Sequence, residues 1–316
     1  MKRAPKLQLR DQDQLIHVNP VTLELFQRYK IDMNMRGLAA GTQQHYTNDL
    51  EAWFVYVLTY QSNRSVIDLT EDDIADYLMF CKSAGNHSAR QRLRLASIST
   101  FYKFLRKKRV VRENPVDFLD YPKHNDVVVT QTYLSTEQVV LMREKLIESQ
   151  DTQLRLYAFL SLSTMARVGA IARLRWSQVD FNSKSIRDVQ EKEGKLVVLY
   201  FSDEVRLLLQ KLLKEREAKH IDDHGWVFHT GRTSANKCIA RGTLNSWCKR
   251  IGQMIGVPTL HPHDFRHSGA TLLKNAGMSL EDVSTLLHHE STETTKKFYI
   301  KQDMSKICSL KAIYNI

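Results

Sequence analysis

The sequence is poor in the features that mark several common kinds of protein. Its four cysteines, Cys81, Cys238, Cys248 and Cys308, form no CxxC pair and keep no regular spacing. That argues against a disulfide framework or a thiolate zinc site and predicts reduced thiols in a cytoplasmic protein. Long hydrophobic runs are missing. The longest, Trp53–Leu58 and Leu196–Phe201, fall far below the roughly 20 residues of a membrane-spanning helix, and residues 1–20 carry charges without a signal-peptide core. There is no internal repeat and no low-complexity tract. From Lys82 to Arg112 there is no acidic residue at all. From His261 to Lys301, where His, Arg and Tyr concentrate, no carboxylate cluster offers ligands for two-metal chemistry.

The chain has 316 residues, 42% of them apolar, which is enough for two cores. Lys and Arg number 46 against 35 Asp and Glu, for a net charge of +11. An excess of that size favours a polyanionic partner.

Residues 1–19, with Lys2, Arg3, Lys6 and Arg10 ahead of any periodic pattern, read as an N-terminal arm. A helix is expected from Thr22 to about Arg36 on Leu23, Phe26, Tyr29 and Ile31. Gly37 and Gly41 break the chain there, and Thr42 caps a second helix carrying Tyr46, Leu50, Phe54 and Val57. Thr70 with Asp73 starts a third. A fourth runs from about Ser88 to Lys107 on Leu93, Ile98, Phe101, Tyr102 and Leu105. Residues 20–113 are therefore expected to form a four-helix domain.

The acid-free stretch holds ten basic residues, including Arg90, Arg92, Arg94, Lys103, Arg106, Lys107 and Lys108. A solvated helix normally intersperses charges of both signs, so thirty residues without a carboxylate point to a nucleic-acid-facing surface. Residues 114–133, with Pro115 and Pro122 and no helical period, read as a linker.

The second domain, 134–316, opens on capping-box spacing at Ser135 and Gln138. A helix from Gln153 to Ser161 follows, then STMARVGAIARLRW, with Arg167 ahead of an apolar helical pattern. Beyond Trp176 the period shortens. Ser185–Val189 and Lys195–Phe201 read as strands joined by a turn with Gly194, with a further short strand at Trp226–Phe228. Helices are expected over 202–217 and 242–255. The class is mainly α, with an α+β second domain holding one small antiparallel sheet.

In HPHDFRHSGATLLKNAGMSLEDVSTLLHHESTETTKKFYIK, a helix beginning at Pro262 or His263 puts His263, Arg266 and His267 on one face. Its N-terminus adds backbone donors for a phosphate. Gly277 stops the helix, and Ser279 with Asp282 starts another that ends at His288 and His289. A zinc cluster among these histidines is the competing reading, but the spacing is not H-E-x-x-H and the helix turns His261 away. His267 reads as a structural histidine.

His263-Asp264-Phe265-Arg266-His267 resembles the H-x-L-R-H motif of the tyrosine recombinases, the phage integrase family. Leu287-His288-His289 with Thr294 to Tyr299 is similar to their L-G-H…T-T…Y ending, and Arg167 matches the Arg of T-G-x-R-x-x-E-x-x-x-L-x-W. Lys192 matches the sheet-borne lysine, with Lys195 its competitor. The likeness spans residues 20–300. It implies a SAM-like core-binding domain and a catalytic domain that hold duplex DNA between them.

What the resemblance implies chemically is a metal-free, cofactor-free transesterification. Arg167 and Arg266 hold the scissile phosphate as forked donors. His263 assists phosphate binding and proton transfer with Tyr299, His289 bonds a phosphate oxygen, and Lys192 protonates the leaving 5′-oxygen. Tyr299 attacks to leave a 3′-phosphotyrosyl link. The family works as four protomers on inverted-repeat sites through a Holliday junction, with the tail from about 303 to 316 on a neighbour. A type IB topoisomerase and a non-catalytic DNA-binding protein of the same fold are the rival functions. Three positions depart from the pattern: Ala170 replaces the motif Glu, His288 replaces the Gly, and ten residues rather than nine separate His289 from Tyr299, with Phe298 at the usual place.

Overall fold

The computed structural model describes residues 11–123, 133–191 and 194–288. Among these lie twelve α-helices and a three-stranded sheet, divided between two compact units, Met1–Val129 and Thr130–Ile316. No described helix is long and apolar enough to cross a membrane.

The described elements of the first unit are helices: α1 (Gln12–Leu15), α2 (Pro20–Met35), α3 (Ala40–Tyr60), α4 (Glu71–Ser83) and α5 (Ser88–Lys107). Asn19 caps α2 by accepting from the Val21 and Thr22 amides, with Pro20 in the first turn, where its missing N–H costs nothing. Thr70 and Asp73 form the expected capping box at α4. Helix α3 begins at Ala40, ahead of the Thr42 cap read from the sequence. Gly37 alone breaks the chain, at φ +67°, and Gln43 donates to Leu38 O across the turn.

The core gathers Phe26, Tyr29, Trp53, Phe54, Phe101 and Tyr102. Phe26 and Phe54 meet edge to face at 5.2 Å, the arrangement that ring quadrupoles favour. Ile31 and Leu93, read as core-facing, are instead 60% and 50% exposed, because Met33 and Leu95 take the inward positions. Within the expected linker, Pro115–Phe118 form a short 3-10 turn with Val116 buried, so the packed part of this unit extends into it.

The second unit contains α6 (Thr136–Glu148), α7 (Thr152–Thr164), α8 (Val168–Ile171), α9 (Asp203–Ala218), α10 (Arg241–Met254), α11 (Pro262–Asn275) and α12 (Leu280–Leu286). Its antiparallel sheet runs β1 (Val179–Asp180), β2 (Ser185–Gln190), β3 (Leu196–Tyr200), with Ile186 opposite Leu199 and Val189 opposite Val197. The register shifts between Ile186 and Val189, where Asp188 takes φ +53°. The short strand expected at Trp226–Phe228 does not form; Trp226 makes a single bridge to Arg175. The carbonyls of Trp226 and Val227 accept instead from the buried Arg216 guanidinium, each at 2.9 Å, while Asp223 holds its charge at 2.6 Å. A side chain satisfies backbone that a ladder would otherwise have paired.

Helices α7 and α11 cross at Gly269, where an added Cβ would press on Leu162 O and lie 2.8 Å from Met165 Cγ. That close approach brings the end of α7 against the middle of α11.

Candidate active site and basic face

Helix α7 ends on Met165, which takes the left-handed conformation at φ +53° where T-G-x-R has glycine. The chain re-extends through Arg167, the N-cap of the short α8. Its side chain is one-third exposed and its Nη1 donates to the Glu191 carboxylate. Glu191 follows β2, and its amide donates to Lys195 O at 2.8 Å, closing the hairpin around Gly194 at φ +78°. Lys195 itself is exposed.

Arg266 approaches from α11 and is 1% exposed. Its Nη1 donates to Met165 O and its Nη2 to Leu287 O, both at 2.6 Å, so one guanidinium joins the ends of α7 and α12 to α11. His288 follows with φ +53°, its Nδ1 3.8 Å from Glu191 Oε2. Burial alone would push the Glu191 carboxyl up. His288, Arg167 and Arg266 outweigh it and hold the group below the usual glutamate range, hence ionised.

At the start of α11, His261 is the N-cap: its Nδ1 accepts from the His263 amide at 3.3 Å, and Asp264 accepts from the His261 amide at 2.8 Å. The helix does not turn His261 away, as the sequence reading had it. Because it sits at the cap, its ring stacks on that of His263, centroids 5.6 Å apart and 18° from parallel. His263, exposed at the surface of the helix start, is held below the ordinary histidine range by partial loss of water and by the charges of His261, Arg266 and Arg167, of which the charges are the firmer cause at an exposed position. A neutral imidazole that accepts a proton is the form this favours. His267 packs inside, edge-on to Tyr133 at 6.0 Å.

The structure therefore brings Arg167, Arg266 and His263 into one electrostatic neighbourhood. Lys192, His289 and Tyr299 lie outside the described residues, as do the basic arm residues Lys2 to Arg10 and the tail. Among the described residues no three His, Cys, Asp or Glu side chains converge as metal ligands. The residue that sequence reasoning missed is Glu191. The available signal was period two: Val189 and Glu191 both point inward, and a carboxylate at an inward position needs a cation.

The basic residues of α5 divide into two sets. Arg90 pairs with the fully buried carboxylate of Asp49 on α3, and Arg94, 8% exposed, donates to Tyr77 Oη at 2.8 Å and Asn86 Oδ1 at 3.1 Å. Both serve the interior; the counter-charge missing from the local sequence comes from forty residues upstream. Arg92 donates to Pro122 O at 2.9 Å and lies over the Tyr121 ring. Lys103, Arg106, Lys107 and Lys108 are exposed, with Arg106 3.4 Å from Asp117. With Arg109 and Arg112 just beyond the helix, also exposed, they form the basic surface.

A model described as the phage integrase family matches residues 132–306, and one described as the phage integrase N-terminal SAM-like domain matches 25–111. The chain is 26% identical over 293 residues to the tyrosine recombinase XerC of Leptospira interrogans, covering 92% of this chain and 91% of that protein. It is 28% identical over 274 residues to XerD of Rhizobium meliloti, covering 83% and 85%. Among solved structures, a lambda integrase dimer bound to a COC′ core site superposes with a TM-score of 0.68 at 18% identity, over 87% of this chain and 94% of that one. A lambda integrase tetramer bound to a Holliday junction gives 0.64 at 19% identity, over 92% and 79%.

Proposed function

Since the chain belongs to the phage integrase family and is a site-specific tyrosine recombinase that transfers DNA strands, we propose that it cuts and rejoins duplex DNA through a 3′-phosphotyrosyl intermediate. The observation that carries this reading is that Arg266 on α11, three residues after His263, bonds Met165 O at the end of α7, two residues before Arg167. A phosphodiester is anionic and repels a nucleophile, so its non-bridging oxygens need forked cationic donors whose stabilisation grows in the transition state.

In the proposed step the Tyr299 hydroxyl attacks phosphorus and forms the phenolic P–O bond as the bond to the 5′-oxygen breaks. The phenol proton passes to neutral His263, and the Lys192 ammonium supplies a proton to the departing oxygen. His289 bonds a non-bridging oxygen. A 5′-hydroxyl of the partner strand then reverses the step. One P–O bond is exchanged for another each time, so strand joining draws on no external energy source.

Lys103, Arg106, Lys107 and Lys108 would face the phosphate backbone. Two inverted-repeat sites would be held by a tetramer that passes through a Holliday junction, each tail from about 303 to 316 on a neighbour. The relatives named for complexes of this kind support that reading. The test is incubation with a nicked duplex carrying the protein's own site. The wild type should form a covalent protein–DNA adduct and Tyr299→Phe should form none. An adduct with Tyr299→Phe overturns the assignment of the nucleophile. Relaxation of supercoiled plasmid lacking any site would favour a topoisomerase instead.

A further inference from the structure

Arg167 has to be held by something. A free arginine samples many rotamers, and a phosphate that must order it loses much of what its hydrogen bonds contribute. The i+3 position, one helical turn on, is Ala170, a buried residue with no polar atom to offer. The partner comes from elsewhere in the chain. Glu191 Oε2 accepts from Arg167 Nη1, and the carboxylate is almost fully enclosed, its side chain 3% exposed. Its other close neighbour is the His288 imidazole at 3.8 Å, itself 17% exposed.

We propose that Glu191 is the positioning residue of Arg167, doing from the β-hairpin what Ala170 cannot do from α8, and that His288 steadies the carboxylate at the same Oε2 that takes the Arg167 bond. The proposal rests on the recombinase reading above and makes three local oddities one unit: an alanine beside the arginine, a buried glutamate at a hairpin turn, and an imidazole on a left-handed residue. One carboxylate oxygen engages one of the five N–H donors of Arg167, leaving the exposed remainder of the fork for a phosphate. Fixing one edge of a planar guanidinium also fixes the direction in which the other edge points. Because Glu191 is anchored through its own amide to Lys195 O, Arg167 is tied to the hairpin itself.

The test uses the full chain with Glu191→Gln, Glu191→Asp and Glu191→Ala, and with Ala170→Glu added to Glu191→Ala. The first readout needs no DNA: in nitrogen-15 spectra, the Arg167 Nη signals should show hindered rotation in the wild type and in Glu191→Asp, and averaging in Glu191→Gln. Averaging in the wild type overturns the proposal whether or not the protein cuts DNA. The second is adduct formation on the nicked duplex. Glu191→Gln should slow it by about 100-fold at a DNA Kd changed less than about threefold, with Glu191→Asp retaining most of the rate. Adding Ala170→Glu to Glu191→Ala should recover part of the loss. A rate for Glu191→Gln equal to or above the wild type also overturns the proposal. Absence of adduct from the wild type, with Arg167 rigid, would count against the recombinase reading and leave the positioning role supported.

Discussion

Replacing Asp49 by alanine should unfold the first unit more readily than any charge change on its surface, and the structure supplies the magnitude. The Asp49 side chain is fully buried; it accepts from Ser97 Oγ at 2.9 Å, lies 3.4 Å from His45 Nε2 and 4.0 Å from Arg94 Nη1, and pairs with Arg90. Removing one member of a buried ion pair costs roughly 3–5 kcal/mol, because the other charge is left in the interior. Arg94 keeps Tyr77 and Asn86, and the Arg90 side chain, 36% exposed, can turn to water. The low end, about 3 kcal/mol, is therefore expected. With a urea slope of about 2 kcal/mol/M, the midpoint should fall by about 1.5 M. Hydrogen exchange of α3 and α5 peptides, followed through a urea series, isolates this unit from its neighbour. A midpoint lowered by less than ~0.5 M would refute the argument that Asp49 balances the basic run. Removing Asp117, which faces the half-exposed Arg106, should cost no more than ~1 kcal/mol in the same assay.

Reversing the charges of Arg106, Lys107 and Lys108 should weaken DNA binding and lower the slope of log K against log salt by about 3, since each lost phosphate contact removes ~0.9; titrations at several salt concentrations decide it. The depressed His263 pKa means that the unfolded chain takes up this proton first, so its contribution to stability is full above the unfolded histidine range and is lost as pH falls from there through the lower folded value. His263→Gln should flatten the pH dependence of the melting temperature on the acid side. Gly269→Ala forces α11 away from Leu162 and Met165, at a cost of roughly 1–3 kcal/mol, and should lower thermal stability and adduct formation together. Unchanged melting would show that the crossing can absorb a methyl group.

Element types were largely legible in the sequence, because they rest on local rules. The capping pairs Thr70–Asp73 and Ser135–Gln138 and the extent of α5 needed nothing beyond spacing. What failed depended on partners distant in sequence. Nothing near Trp226 announces that Arg216 will satisfy its carbonyl, and nothing in α5 says that Asp49 neutralises part of its charge. The same holds in the site. Arg167, His263 and Arg266 could be picked out by motif, whereas Glu191 required knowing that the hairpin folds back over α8.

Arg266 and Arg167 differ in what mutation at each can reveal. Arg266 neutralises carbonyl oxygens at the ends of two helices from inside the core, so almost any substitution there removes a rivet along with the phosphate contact proposed for it, and loss of activity will be confounded with loss of structure. Arg167 stands at the rim, one-third exposed and bonded to one carboxylate, so a change there disturbs a single ion pair and no helix-end carbonyls. A conservative change that keeps the Glu191 pair, such as Arg167→Lys, therefore separates the two effects at the Arg167 side as no change at Arg266 can.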